Sequence, residues 1–275
     1  MASCTIDCQP TVLYHARTMP ISPEGRPIRK GLGSFSRRIS PADLEQLGIS
    51  WYYNWTPFPK NTHVPGMEFV PMFWWGGDVN LENLALVQAS DAVNVLGFNE
   101  PDLTSQSNMT VKECLDLWPQ LMTLKQRLGS PAPASHVWLH LFLAGARERK
   151  LRVDFVCVHM YPDFTNPNAV GEMETQLREV HECSGLPVWL TEFSTADVKK
   201  WHQPQLHRPS SKAAESFMHK VLAMLERLPF IERYAWFADR VGGDYRFGSI
   251  FEQHSGRLTS MGAIYRGGPE SGTPA

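Results

Sequence analysis

The chain has little of what marks a nucleic-acid binder, a membrane span or a disulfide scaffold. Its 26 lysines and arginines are offset by 28 acidic residues, for a net charge of −2. The basic residues form no block, so no polybasic stripe exists to track phosphates, and no nucleic-acid partner is expected. No apolar run reaches the roughly 18 residues that a bilayer crossing needs, so no membrane role is expected. Cysteine is scarce and odd in number: the 5 are Cys4, Cys8, Cys114, Cys157 and Cys183. Such a set is not a disulfide framework. Cys4 and Cys8 can pair or stay free, and Cys157, in an apolar run, reads as a small buried hydrophobe. No C-x-x-C or H-E-x-x-H spacing offers a metal site, so neither metal nor other cofactor is expected. A Gly-rich phosphate loop after the first strand is missing, since Gly31 and Gly33 alone do not make one. So is a Ser nucleophile elbow. Residues 1–16 lack both a basic start and a continuous apolar stretch, so no secretory leader is expected there.

What is present is an ordinary globular composition with many rings. The chain has 275 residues, 43% hydrophobic and 20% charged, with 9 Trp, 14 Phe and 7 Tyr. That length suits one large domain with a sizeable core. Strand and helix patterns alternate. Strands are predicted at 31–35, 49–54, 68–73, 94–99, 130–134, 154–159, 187–191 and 231–237. Helices are predicted at 41–47, 81–88, 110–128, 137–150, 169–182 and 211–228. Ser40 reads as an N-cap, Thr110 and Glu113 as a capping box, and Gly129 as the residue closing the 110–128 helix. Residues 154–159 have the near-continuous apolar character of a buried parallel strand. The count points to an α/β fold, a single (β/α)8 TIM barrel over about residues 29–265 within one catalytic domain. An open doubly wound sheet is the alternative.

In such a barrel the chemistry sits at the C-terminal strand ends. Tyr53, Asn54 and Trp55 stand at the second; Trp74 and Trp75 at the third; Asn99, Glu100 and Asp102 at the fourth. His159 and Tyr161 follow the sixth, Glu192 the seventh, and Trp236 and Phe237 end the eighth. The set is acidic, aromatic and amide-rich. Two carboxylates among flat rings fit glycoside hydrolysis, in which one carboxyl protonates the leaving oxygen and the other is nucleophile or base. Burial behind apolar strands can raise one of the two carboxyl pKa values toward working pH. Plain structural roles compete: a Glu at a strand end can be an ion-pair partner, and His159 a core histidine. Asp102 reads as a cap for the segment after it, and Trp118 and Trp138 as helix packing.

Gly97-Phe98-Asn99-Glu100-Pro101-Asp102 and Trp189-Leu190-Thr191-Glu192-Phe193 resemble the signature strands of clan A glycoside hydrolases. With Gly129-Ser130-Pro131-Ala132 and residues 153–161, the pattern resembles glycoside hydrolase family 128, β-1,3-glucanases on a compact TIM barrel. The resemblance runs from about Lys30 to Phe237. It implies that Glu100 is the general acid/base and Glu192 the nucleophile of a retaining reaction. Asn99 would bond a sugar 2-hydroxyl, and Trp236 would floor the subsite of the attacked sugar. Tyr161 and His159 would orient Glu192 or touch substrate. Trp74, Trp75, Trp51 and Tyr53 are read as further subsites, although strand alternation lets only some of them face a cleft. Trp201, in the long segment 194–209, would wall that cleft. The expected activity is endo-hydrolysis of β-1,3-glucan of the laminarin or curdlan type by a monomer. An exo-acting or oligosaccharide-specific β-1,3-glucanase, and glucan binding without catalysis, are the alternatives. A polymeric substrate implies secretion or surface display.

Overall fold

Parallel strands buried on both faces and separated by amphipathic helices make up the chain, and the computed structural model describes residues 28–35, 39–59, 63–195 and 210–267 of it. The elements are β1 (Lys30–Gly33), α1 (Pro41–Glu45), β2 (Trp51–Tyr53), β3 (Glu68–Phe69), α2 (Leu81–Ala89), β4 (Asn94–Val95), α3 (Val111–Leu121), β5 (Arg127–Leu128), α4 (His136–Glu148), β6 (Val156–Met160), α5 (Ala169–Ser184), β7 (Val188–Phe193), α6 (Ser211–Arg227), β8 (Ile231–Phe237) and α7 (Ser260–Gly267). Helix starts follow the local chemistry. Ser40 with Asp43, and Thr110 with Glu113, form capping boxes, and Asn80, Ser135 and Ser210 accept from the backbone of the first turns of α2, α4 and α6.

All strand pairings are parallel. Six strands form one sheet in the order β3-β2-β1-β8-β7-β6, and β4 pairs with β5. Single parallel bridges join the two groups at both ends, Met72 with Leu96 and Gly129 with Phe155. The molecule is therefore an α/β fold built on parallel strands.

Alternation along the strands divides the core. Trp51, Tyr53, Phe155, Cys157, Trp189 and Ala235 cluster on the face away from the helices, with Val70, Met72, Leu96 and Ala132. Their neighbours Tyr52, Val156, Val158, Leu190, Tyr234 and Trp236 pack on the other face against Leu177 and Val180 of α5 and Phe217 and Val221 of α6. Trp118, stacked edge-on against Phe142, and Trp138, stacked on the same ring, pack between α3 and α4 as expected.

Three expectations are corrected. The helix expected over 110–128 stops at Leu121. The rest turns back because Arg127 and Leu128 pair with Asn94 and Val95, and the Arg152 guanidinium takes the carbonyls of Leu124 and Gln126. Gly129 is accordingly a sheet residue rather than a helix terminator: a Cβ on it would stand 2.4 Å from the Phe155 ring. Asp102 does not cap the segment after it; its carboxylate accepts from the N–H groups of Ala134 and Ser135 and ties the loop after β4 to the start of α4. Cys4, Cys8 and Trp201 lie outside the described residues.

Candidate active site

Glu192 reaches the cleft because β7 carries an extra residue. The β6–β7 ladder pairs Val158 with Leu190 and then His159 with Glu192, skipping Thr191, and the β7–β8 ladder slips between Leu190 and Phe193. Strict alternation from Trp189 would send Glu192 toward the helices. The irregularity reverses the parity, so Phe193 packs on Trp236 in the helix-side core and Glu192 joins the face of Trp189 and Tyr53. Glu100 is set by different means. Its backbone sits at φ +39, a region uncommon for residues other than glycine, and its N–H donates to Ala132 O at 2.9 Å.

Both carboxylates and His159 are buried. One oxygen of each carboxylate and a ring nitrogen lie within 4.8 Å of one another. His159 Nδ1 is 3.1 Å from Glu100 Oε1, and Nε2 is 3.5 Å from Glu192 Oε1. Nδ1 bonds Glu100, whereas Nε2 makes no hydrogen bond among the described residues, so the imidazole stands between the two carboxylates and is bonded to one of them. Burial of the ring works against its charge, yet Glu192 and Glu100 together push the His159 pKa above its ordinary value.

Glu192 is gripped on both oxygens. Trp55 Nε1 donates to Oε1 at 2.8 Å and Tyr161 Oη to Oε2 at 2.5 Å, while Tyr53 Oη shares its proton between Thr191 O at 2.9 Å and Oε1 at 3.3 Å. Burial raises its pKa, with Glu100 adding to the rise, while His159 and the donors Tyr161 and Trp55 oppose it. Glu100 has a single bonded partner among the described residues, His159, and borders the open cleft. Donors on a carboxylate favour its charged form.

The cleft above the pair measures about 460 Å³, within the range of small-ligand sites. Phe35, Trp55, Trp74, Tyr161, Phe237 and Tyr245 supply its rings, and Asn54, Thr56, Asn99 and Gln106 its amide and hydroxyl groups. Of the residues expected in the site, Glu100, Glu192, Asn99, Tyr161, Trp74 and His159 are brought together. Asn99 donates to Gln106 at 3.3 Å, leaving its buried Oδ1 without a partner among the described residues. Tyr53 lies beneath the cleft, fully buried, and touches Glu192 rather than lining the wall.

Trp236, Trp51 and Trp75 do not stand where they were expected. Trp236 is fully buried on the helix side, its indole donating to Gly248 O at 2.6 Å. Its strand neighbour Phe237 takes the cleft place, as alternation requires. Trp51 sits deeper on the cleft-side face, fully buried, against Trp189 at 5.1 Å and with its N–H on Arg29 O. Trp75 is 51% exposed but does not line the cleft; its ring lies over Gly77. Sequence reasoning gave no role to Trp55 or Phe35 and passed over Tyr245 and Gln106. Asn54-Trp55-Thr56, a polar-flanked ring just past a strand end, was the available signal for Trp55.

A carboxylate pair beside a histidine in a ring-lined cleft is a site that suits glycoside hydrolysis, and the "Glycosyl hydrolase catalytic core" family matches residues 35–265. The chain belongs to this family, and within it to glycoside hydrolase family 128. A solved family 128 subgroup I endo-β-1,3-glucanase from Amycolatopsis mediterranei, a glutamate-to-alanine variant in complex with laminaripentaose, is 34% identical. The match covers 86% of this chain and 98% of that one, at a TM-score of 0.78. A subgroup III curdlan-specific exo-β-1,3-glucanase from Blastomyces gilchristii, in complex with glucose, is 26% identical, with 86% and 97% covered and a TM-score of 0.68. Alkali-sensitive linkage protein 1 of Schizosaccharomyces pombe is 30% identical over 230 residues. That alignment takes in 79% of this chain, which spans 40% of the length of that relative.

Proposed function

We propose that this chain is a retaining endo-β-1,3-glucanase in which Glu100 is the general acid/base and Glu192 the nucleophile. The observation that carries the reading is the Glu100–His159–Glu192 cluster, with carboxylate oxygens within 4.8 Å. Retaining glycosidases hold their carboxyl groups about 5–5.5 Å apart, whereas inverting ones leave roughly 6.5–9.5 Å for a water. Glu100 protonates the glycosidic oxygen as Glu192 attacks the anomeric carbon; the leaving sugar departs and a glycosyl ester forms on Glu192. Glu100, now a carboxylate, takes a proton from water, which attacks the same carbon and frees Glu192. The donors on both oxygens of Glu192 favour its charged form. Asn99 and the rings of Trp74, Phe35 and Phe237 are read as sugar contacts.

The β-1,3 linkage rests on the likeness to enzymes whose names give that activity. Endo action is favoured by the higher likeness to the endo-acting subgroup I structure than to the exo-acting subgroup III one. The bridges Met72–Leu96 and Gly129–Phe155 support closure of the eight strands into a (β/α)8 barrel over about residues 29–265 within a single catalytic domain.

Glu192→Gln and Glu100→Gln are each expected to lower laminarin hydrolysis by at least about 10³-fold with the fold intact. With an activated aryl glucoside, Glu192→Ala plus azide should yield the glycosyl azide of inverted configuration. A parent-like turnover in either glutamine variant overturns the assignment. A ladder of oligosaccharides from laminarin marks endo action, and a single small product marks exo action.

A further inference from the structure

We propose that Trp55 is the positioning residue of the nucleophile, its indole N–H fixing the orientation of the Glu192 carboxylate while its ring forms part of the cleft wall. This rests on the reading of Glu192 as nucleophile. Among the donors on Oε1, the Trp55 N–H at 2.8 Å is the nearer, Tyr53 standing at 3.3 Å. Tyr161 holds the other oxygen. One short bond to each oxygen stops the carboxylate from rotating, so the same lone pair always faces the cleft. An indole only donates, whereas a hydroxyl can reverse its sense; Trp55 therefore holds an acceptor and nothing else.

The backbone is committed to this task. Trp55 sits at φ +58, in the left-handed region, where a bulky side chain is an outlier. Its flanks keep it there. Asn54 Oδ1 accepts from the N–H of Thr56 at 3.2 Å and from its hydroxyl at 2.7 Å, and the Thr56 carbonyl accepts from Met72 N–H at 3.1 Å. The ring is confined as well. It lies 4.8 Å from the Tyr53 ring and 5.7 Å from that of Phe237, and over Gly33, where a Cβ would stand 3.0 Å from its edge. Backbone strain kept at a reacting group marks a position that the surrounding structure over-determines.

The test is Trp55→Phe, which keeps a ring and removes the N–H. With laminarin, kcat is expected to fall roughly 10- to 100-fold, the loss of one hydrogen bond to a charged group, with KM changed by less than about threefold. The titratable groups facing Glu192 are Tyr53, Glu100, His159 and Tyr161, with Tyr245 beyond Tyr161; all remain in the variant. Losing one donor to the charged carboxylate moves the acidic limb of the kcat/KM profile to higher pH. Tyr53→Phe, which acts on the same oxygen, should combine with Trp55→Phe by less than the product of the two effects. If Trp55→Phe does not fold by circular dichroism, Asn54→Ala, which loosens the turn and keeps the indole, is read for the same split between kcat and KM. Parent-like kcat with an unmoved acidic limb overturns the proposal, as does a loss confined to KM, which would make the ring a sugar platform only. Glu192→Gln keeps the two readings apart: an active Glu192→Gln refutes the nucleophile, whereas an inactive one beside a parent-like Trp55→Phe refutes only the positioning role.

Discussion

At the scale of single residues, Glu192 and His159 set their own proton balance against the stability of the fold. Burial raises Glu192 above its ordinary 4.5, and the facing carboxylates raise His159 above its ordinary 6.5 despite burial. Both groups thus hold protons in the folded chain at pH values where the unfolded chain has released them. A folded state that binds more protons loses stability as pH rises. For Glu192 the loss starts at its ordinary value and runs up through the raised one. For His159 the contribution is complete below its ordinary value and is lost as pH climbs through the raised one. Glu192→Gln removes the first of these, so at pH 7 its melting temperature should equal or exceed the parent's. A gain of about 1 kcal/mol corresponds to about 2–4 °C in a chain of this size. Thermal unfolding from pH 4 to 8 checks this; a variant several degrees less stable at pH 7 refutes it. The strand-end rule was enough to find this pair, along with Asn99, Tyr161 and Trp74. It did not give parity. Residues 231–237 show that alternate side chains share a face, but not whether Trp236 or Phe237 meets the cleft, because both are aromatic and both faces are buried. Trp55 escaped for another reason: its role depends on a left-handed backbone that no propensity predicts.

At the scale of elements, the same glycine replacement should act in opposite directions depending on what surrounds it. Gly97 lies between Leu96, which bridges Met72, and Asn99, which bridges Ala132. A Cβ on Gly97 would stand 2.9 Å from Gly129 O, Pro131 N and the Ser130 carbonyl carbon, all backbone atoms that cannot swing aside. Gly97→Ala should cost about 1–3 kcal/mol and, with Glu100 only three residues on, lower activity as well. Gly171, in α5, has nothing within 4 Å of such a Cβ. Gly171→Ala should add roughly 0.5–1 kcal/mol with activity unchanged. Urea unfolding of the two variants against the parent tests the pair, and the contrast fails if both move the same way. These packing facts explain why some elements were easier to read than others. β8 spans its expected Ile231–Phe237, Glu232 and Arg233 included, and its last four residues pair with β1 in continuous register. The third strand came out shorter than expected, at Glu68–Phe69, and the fifth lies upstream of its expected 130–134, at Arg127–Leu128. Pro71, Pro131 and Pro133 stand in those segments without an N–H for the ladder. The helix expected to run to residue 128 kept its apolar spacing, but its last turns gave way to pairing of Arg127 and Leu128 with β4.

At the scale of the whole molecule, one face of the sheet does two jobs at its two ends. Beyond the C-terminal strand ends lie Glu100, His159 and Glu192. Toward the strand starts lies a buried ion pair, Arg233 of β8 on Glu68 of β3 at 2.6 Å, each side chain only 7% exposed. Glu68 Oε1 accepts from the N–H groups of Val93 and Asn94 and from the Asn94 side chain, so this carboxylate joins β3 to the start of β4, where the long ladder is interrupted. The Arg233 guanidinium stacks on Trp189 at 4.6 Å and Trp51 at 5.7 Å. Its Nε and Nη1 have no hydrogen-bond partner among the described residues, so the rings and Glu68 carry its charge. Removing one member leaves the other charged and dry, a loss of roughly 3–5 kcal/mol, whereas exchanging both for apolar residues of similar volume is often close to neutral. Glu68→Leu and Arg233→Met should each cost that much in urea unfolding, and the double variant clearly less than either. Because the pair stands a strand's length from the carboxylates, the folded double variant should keep kcat on laminarin within about threefold of the parent. A folded double variant that lost its activity would mean that the ion pair positions Glu192 through Trp189, and that the two ends of the face are not independent.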